Sequence, residues 1–305
     1  MAEAEEHFVT LPTRVWKIGL AGGAAVWLFA AVLTGITQDD ILVPTVIILG
    51  SFLVPGTMTA FALSRRRAAQ LTTEAAVLGF FAAGTLAVVS TAVLETYLLP
   101  AAAGTFVGVG IIEEMCKALV VVAVAQRVHA RAPRDGMVLG AVVGAGFAAF
   151  ESAGYALQTM IDNLDHRPIV NIMETEAFRG VLSPFGHITW TALVGGALFA
   201  SSRGGRFHLT ARLAGTAAGV IALHALWDAS YGWAIMLARG VLGDGWQLRW
   251  PNAQGWQGVP SGEEITWFNV FYDGQLILLA VIGAWWVVHS WRRYGHWAPA
   301  TPPAG

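Results

Sequence analysis

Charge is what this chain has least of. Asp, Glu, Lys and Arg together make up 12% of the 305 residues, about half the usual ~25% of a soluble domain. Counting glycine and leaving out tyrosine, roughly 65% of the residues are apolar, against ~45–50% in soluble proteins. A soluble globule cannot hide that much apolar surface, so a cytosolic enzyme, a disordered chain and a nucleic-acid binder are all excluded. Cysteine is equally scarce. The single Cys116 rules out an internal disulfide framework and reads as a small apolar filler, and no Cys/His cluster has the spacing of a structural zinc site. A net charge of −2 points to no polyanionic partner. What remains is a chain solvated by lipid.

Long apolar runs are what is present. Crossing a ~30 Å hydrocarbon core takes about 20 helical residues. Eight stretches qualify: Lys17–Thr37, Ile41–Leu63, Ala75–Leu98, Gly104–Gln126, Met137–Met160, Val181–Ser202, Arg212–Ala238 and Phe268–Ser290. The expected fold is therefore all-α, a polytopic membrane protein and a single domain over residues 1–305, with a short Pro-rich tail at 297–305. The acidic start, Met1–His7, is unlike the basic leader of a cleavable signal peptide, so the first helix is expected to stay. Basic residues set orientation, because positive loops remain cytoplasmic. Arg14, Lys17, Arg65, Arg66, Arg67, Arg127, Arg131, Arg134, Arg203, Arg206, Arg212, Arg292 and Arg293 fall on one side; Arg167, Arg179, Arg239 and Arg249 fall on the other. That split predicts both termini in the cytoplasm, and the Arg65–Arg67 run reads as a topology determinant. The outer stretch Arg239–Trp267, rich in Gly and Trp, is either a loop resting in the interface or a lid over a substrate entrance. Small-residue spacings at Gly19/Gly23, Gly104/Gly108, Gly140/Gly144 and Gly215/Gly219 mark places where helices could approach closely.

Seven titratable residues lie well inside these spans: Glu113, Glu114, Lys117, Glu151, His187, His224 and Asp228. An acidic or basic side chain at such a position costs roughly 2.5–3.5 kcal/mol on insertion scales. Their depths agree. At ~1.5 Å per residue, Glu113, Glu151 and Asp228 come out roughly 14–15 Å below the outer surface, His224 about a turn deeper and His187 about 9 Å down. Four helices thus present polar groups in one layer, as a single site at their junction requires. Within α-helical spacing, Lys117 can pair with one carboxylate of the Glu113–Glu114 doublet and leave the other free. Phe147 shares a face with Glu151, and His224 shares one with Asp228, whose carboxylate can orient the imidazole or ligate a metal beside it. The layer's formal charge, four acids against one lysine, requires that it bind protons, admit water or hold a cation. His289 reads as interfacial, and His129, His208 and His296 as loop or tail residues.

The ordered set Glu113-Glu114-x-x-Lys117, Phe147-x-x-x-Glu151, His187 and His224-x-x-x-Asp228, each on its own predicted helix, resembles the PrsW family of intramembrane proteases. That family is related to the CAAX-prenyl-protease and bacteriocin-processing superfamily, which carries arginine, histidine and asparagine where this chain has Lys117, Glu151 and Asp228. The resemblance covers about Gly104–Ala238. It departs at Ser152 and Asp228, where the PrsW pattern commonly has asparagine. It implies an endopeptidase that cuts a membrane-anchored protein, such as a single-pass anti-sigma factor, in or near the bilayer of a bacterial cell membrane. By role it implies Glu113 or Glu114 as the general base, Lys117 balancing the doublet, Glu151 co-positioning the water, and His224 with Asp228 stabilising the oxyanion or leaving amine. A metal version stands beside it: His187, His224, Asp228 and Glu151 would hold a zinc ion while a doublet glutamate acts as base. Outside that class, a cation- or proton-coupled transporter or an inactive membrane scaffold would also place ionisable residues in the membrane.

Overall fold

The computed structural model describes residues 14–65, 71–99, 105–128, 132–162, 168–243, 249–252, 255–257 and 261–296. Met1–His7, Arg66, Arg67, Gly104, His129, Arg131, Arg167, Trp246 and the tail at 297–305 lie outside the described residues. With no water in a bilayer core, backbone polar groups must be satisfied within the segment, and helices do so. Among the described residues ten α-helices follow one another: α1 (Val15–Thr37), α2 (Val43–Ser64), α3 (Thr73–Ala82), α4 (Val88–Leu98), α5 (Thr105–Ala125), α6 (Pro133–Asp162), α7 (Pro168–Leu182), α8 (His187–Ala200), α9 (Ala211–Leu242) and α10 (Gly262–Tyr294). Two short antiparallel hairpins join them, β1 (Ser202–Arg203) with β2 (Arg206–Phe207), and β3 (Arg249–Asn252) with β4 (Gly255–Gln257). The first turns on Gly204 and Gly205, with φ of 55° and 75°, a left-handed pair that glycine adopts without a Cβ clash.

Among the described residues, seven segments are long and apolar enough to cross a membrane: α1, α2, α3–α4, α6, α7–α8, α9 and α10. The protein is an all-α, multi-pass membrane protein. The remaining expected span is α5, 21 residues long, which carries Glu113, Glu114 and Lys117.

The sequence reading is wrong about one span. In place of a helix over Val181–Ser202, the chain forms α7 and α8, parted by a 3₁₀ turn at Ser183–Phe185 and by Gly186, whose φ of −95° and ψ of −120° are not helical. Pro184 has no N–H to carry the helical ladder onward, and its carbonyl accepts a 2.6 Å bond from Thr189 Oγ1. The two pieces nevertheless pack along α6 as one antiparallel partner. Gly136 faces Gly195, Gly140 faces Thr191 and Gly144 faces His187. Eight residues further along α6, Ser152 meets Arg179. Apolar periodicity does not separate two short helices in line from one long one.

That α6–α8 contact is the centre of the bundle. A Cβ at Gly136, Gly140 or Gly144 would run into the α8 backbone, so the glycines set how closely the helices approach. Of the four expected glycine pairs, Gly140/Gly144 packs this way. Gly19 and Gly215 face open space, Gly23 and Gly219 meet only the side chains of Leu53 and Trp286, and Gly108 meets that of Leu99. Between α3 and α4, a π-turn at Ala83–Ala87 brings Gly84 against the ring of Phe150. On the side of α5, Gly110 sits against the Ile221 carbonyl and His224 Cβ, which holds α5 and α9 close enough to share a polar cluster.

Candidate functional site

Lys117 is the hub. It is fully buried, and its ammonium lies 2.6 Å from Glu114 Oε1 and 3.3 Å from Glu113 Oε2. It also donates to His187 Nδ1 at 2.9 Å. The lysine therefore serves both carboxylates of the doublet, which corrects the expectation that one would be left free. Beneath it, the ring of Phe147 faces the ammonium at 4.4 Å, a cation–π contact in a desolvated setting.

These bonds fix the imidazoles. Because His187 Nδ1 accepts from Lys117, Nε2 carries the proton and donates to Glu151 Oε2 at 3.0 Å. His224 is turned the other way: Nδ1 donates to Glu114 Oε1 at 3.0 Å, which sets Nε2 between Glu113 Oε2 at 3.6 Å and Asp228 Oδ2 at 3.4 Å. Trp190 stacks on the His224 ring at 4.6 Å and holds its plane. All seven residues expected from the sequence thus meet. His187 reaches the others at the same level, not nearer the surface, because α7 precedes α8 and carries the chain down to it.

Sequence reasoning missed Arg179. Counted as an outer-side basic residue, it instead points from α7 into the bundle, pairs with Glu151, donates from Nε to Ser152 Oγ at 2.9 Å and lies 4.2 Å from the centre of the Tyr155 ring. The layer therefore holds four carboxylates against two cations. The missing signal was the α7–α8 break, without which Arg179 falls before the span. Ser152, noted only as a departure from the family pattern, is the hydroxyl that receives Arg179.

A cavity of about 430 Å³ opens onto this layer. Glu151, His187, Asp228 and Arg179 reach it, and Tyr155 and Tyr272 are among the aromatic residues along its walls. Glu113 and His224 are in contact with those floor residues but are themselves buried. Glu114 does not line the cavity. Its Oε1 serves Lys117 and His224, while Oε2 has no hydrogen-bond partner among the described residues.

The model of the PrsW family of intramembrane metalloproteases matches residues 67–243. The chain belongs to the PrsW family. That match runs from before α3 to the end of α9 and takes in every residue of the polar layer, beginning well upstream of the Gly104–Ala238 stretch that the motifs covered. No curated protein and no solved structure matches the chain. As a PrsW-family protein with membrane-spanning helices, it is an intramembrane protease.

The family's name raises the question of a metal, and the donor set can be tested against one. Ligand atoms of Glu113, His187 and His224 all lie within 4.8 Å of one another. Two imidazoles and a carboxylate suit catalytic zinc. The set differs from the expected His187, His224, Asp228 and Glu151: Glu113 takes the place of Glu151, which is held by Arg179 and His187, and Asp228 stands beside His224. Lys117 competes with a cation for Glu113 Oε2 and His187 Nδ1.

Proposed function

We propose that the protein is an endopeptidase of the bacterial plasma membrane that hydrolyses a membrane-anchored, single-pass protein, an anti-sigma-factor-like substrate among them. In this reading the chain is one membrane domain, α5 completes eight spans, both termini are cytoplasmic, and the polar layer is the active site. One observation carries it: Glu113 Oε2 lies within 4 Å of Lys117 Nζ, His187 Nδ1 and His224 Nε2, immediately behind a cavity floored by Glu151, His187 and Asp228.

Of the doublet, Glu113 is the base and Glu114 the anchor. Glu114 Oε1 is occupied by Lys117 and His224 Nδ1, whereas the Glu113 carboxylate lies next to the cavity-lining residues and faces Nε2 of His224. Glu113 takes a proton from water as the water oxygen bonds to the scissile carbonyl carbon. The proton then passes by way of His224 Nε2 to the leaving nitrogen as the C–N bond breaks. Asp228, 3.4 Å from that nitrogen, stabilises the imidazolium formed on the way. Glu151 keeps His187 in the tautomer that accepts from Lys117. Arg179 uses two of its groups on Ser152 and Glu151; its remaining N–H groups are available to a peptide carbonyl oxygen in the cavity. In a metal-dependent version Glu113, His187 and His224 would hold a divalent ion, which supplies Lewis-acid polarisation and an acidified water when bound, and Glu113 would then be a ligand in place of the base.

The way into the cavity supports a membrane substrate. A second hollow of about 440 Å³ between α7 and α10 shares Phe178 and Leu182 with it, and Phe178 stacks on Tyr272 at 6.3 Å between the two. An apolar segment travelling in the bilayer reaches the polar layer past that pair.

Labelling of protein N-termini in membranes from cells expressing wild type or Glu113→Gln tests the reading. New termini within or beside transmembrane segments are expected with wild type only. If the two sets coincide while both proteins fold, the peptidase assignment is wrong. Elemental analysis of purified protein against a His187→Ala/His224→Ala double variant separates a metal-dependent from a glutamic mechanism.

A further inference from the structure

A separate cavity lies on the opposite side of the α7–α8 break. It measures about 360 Å³, and its walls include Met58 and Phe61 of α2, Met137 of α6, Ile188 of α8, and Val288 and Trp291 of α10. Those walls are largely apolar. Two guanidinium groups also line it, Arg65 at the end of α2 and Arg292 in the last turn of α10.

We propose that this groove holds one acyl chain of an anionic phospholipid, with the lipid phosphate between Arg65 and Arg292. Length fits a lipid tail. From Met58 to Arg65 the groove follows α2 for about 10 Å, within the ~15 Å depth of one leaflet. Charge supplies the rest of the argument. Neither Arg65 nor Arg292 has a carboxylate partner among the described residues; the Arg65 guanidinium rests 4.9 Å from the Phe61 ring. Basic pockets between helices at the cytoplasmic surface bind anionic headgroups, and guanidinium groups match phosphate oxygens in pairs. Arg134 stiffens the wall beside them, donating from Nε to the Trp291 carbonyl at 2.9 Å and lying 4.8 Å from the Trp291 ring centre.

The groove and the polar cavity share one partition. Pro184, Ile188 and Thr189 line the groove, while Gly186 and His187 line the cavity. A lipid tail in the groove therefore packs against the break that sets His187. If the proposed peptidase reading holds, an anionic lipid raises cleavage by holding that break in place.

The experiment reads lipid first, without a substrate. Full-length protein purified from mixed phosphatidylglycerol and phosphatidylcholine is sprayed from detergent, and retained lipid is weighed by native mass spectrometry. Phosphatidylglycerol is expected to be retained about tenfold over phosphatidylcholine, and Arg65→Gln/Arg292→Gln to abolish the preference with an unchanged unfolding temperature. A chain-blocking variant, Ala141→Phe, is expected to lower retention of both lipids with the arginines intact. Equal retention of the two lipids by wild type, or an unchanged preference in the double arginine variant, overturns the site. Inorganic phosphate that displaces phosphatidylglycerol at millimolar concentration would do so as well, since it assigns the arginines to a free anion. Because retention is measured without proteolysis, a failed peptidase reading leaves this result standing.

Discussion

α7 carries two polar side chains three residues apart that lead into different parts of the bundle, and the two junctions are built in opposite ways. Arg179 joins a chain of charged and tautomer-fixed groups that runs through Glu151, His187 and Lys117 to the Glu113–Glu114 doublet. Glu176 instead meets neutral donors: Trp27 Nε1 at 2.8 Å from α1 and Ser51 Oγ at 3.2 Å from α2, with its carboxyl group pressed on Gly50. The first junction opens on a cavity; the second is sealed, with Glu176 buried beside a small apolar cluster around Ala31, Val46 and Ile172. Burial of a carboxyl group is common to both. What distinguishes the charged junction is a surplus of negative charge held against two cations beside an open cavity, an arrangement that packing alone does not require.

The largest effect should come from the centre of the charged junction. Glu113→Gln keeps the size and one hydrogen-bond acceptor but removes the proposed base, so cleavage of a reconstituted membrane substrate should fall about 10³-fold, within the range general-base removal gives. The protein should still fold, as read by its melting temperature. A variant that cuts within tenfold of wild type would move the base to Glu114.

Arg179→Ala should cost less, about 10–100-fold in kcat, the range seen when a group that orients a catalytic residue is lost. Arg179→Lys should recover part of it, because an ammonium restores charge beside Glu151 but cannot also donate in the plane to Ser152. A KM effect alone, with kcat unchanged, would mean that Arg179 contacts substrate without ordering Glu151 and His187.

How these residues were legible follows from where the signals lie. Glu113, Glu114, Lys117, Glu151, His224 and Asp228 announce themselves because charge within an apolar run is expensive and therefore conspicuous. His187 was found by the same logic but placed too near the surface, and Arg179 was assigned to a loop; one cause explains both. α7 carries Glu174, Glu176 and Arg179 ahead of the apolar α8, so the charge-free run begins only at Val181 and the start of the span was drawn twelve residues too late. Glu176 went unremarked for the same reason. The Gly140/Gly144 pair was legible as spacing, yet its partner was not, since only the fold shows that the facing backbone is that of α8.

Gly140→Ala tests that interface. The added Cβ would drive into the Thr191 carbonyl, with backbone on both sides and no flexible side chain to yield. Overpacking of this kind costs about 1–3 kcal/mol. A lowered melting temperature is expected, with activity falling alongside because His187 stands one helical turn from Thr191. An unchanged melting temperature would show that α6 and α8 separate without penalty.

The smallest effect is expected at the sealed junction, and it sharpens the contrast most. Glu176→Gln keeps an oxygen for Trp27 Nε1 or Ser51 Oγ and offers amide hydrogens where the carboxyl group had an acceptor, so at most one hydrogen bond changes. That is worth about 1 kcal/mol. Cleavage should remain within about threefold of wild type, since ~0.6 kcal/mol of transition-state energy is all a slight shift of α7 would transmit. If Glu176→Gln instead silences the enzyme while the melting temperature holds, the two junctions are not separate: α7 would then be the element through which α1 and α2 set the position of Arg179, and the charged chain would extend across the bundle to Trp27.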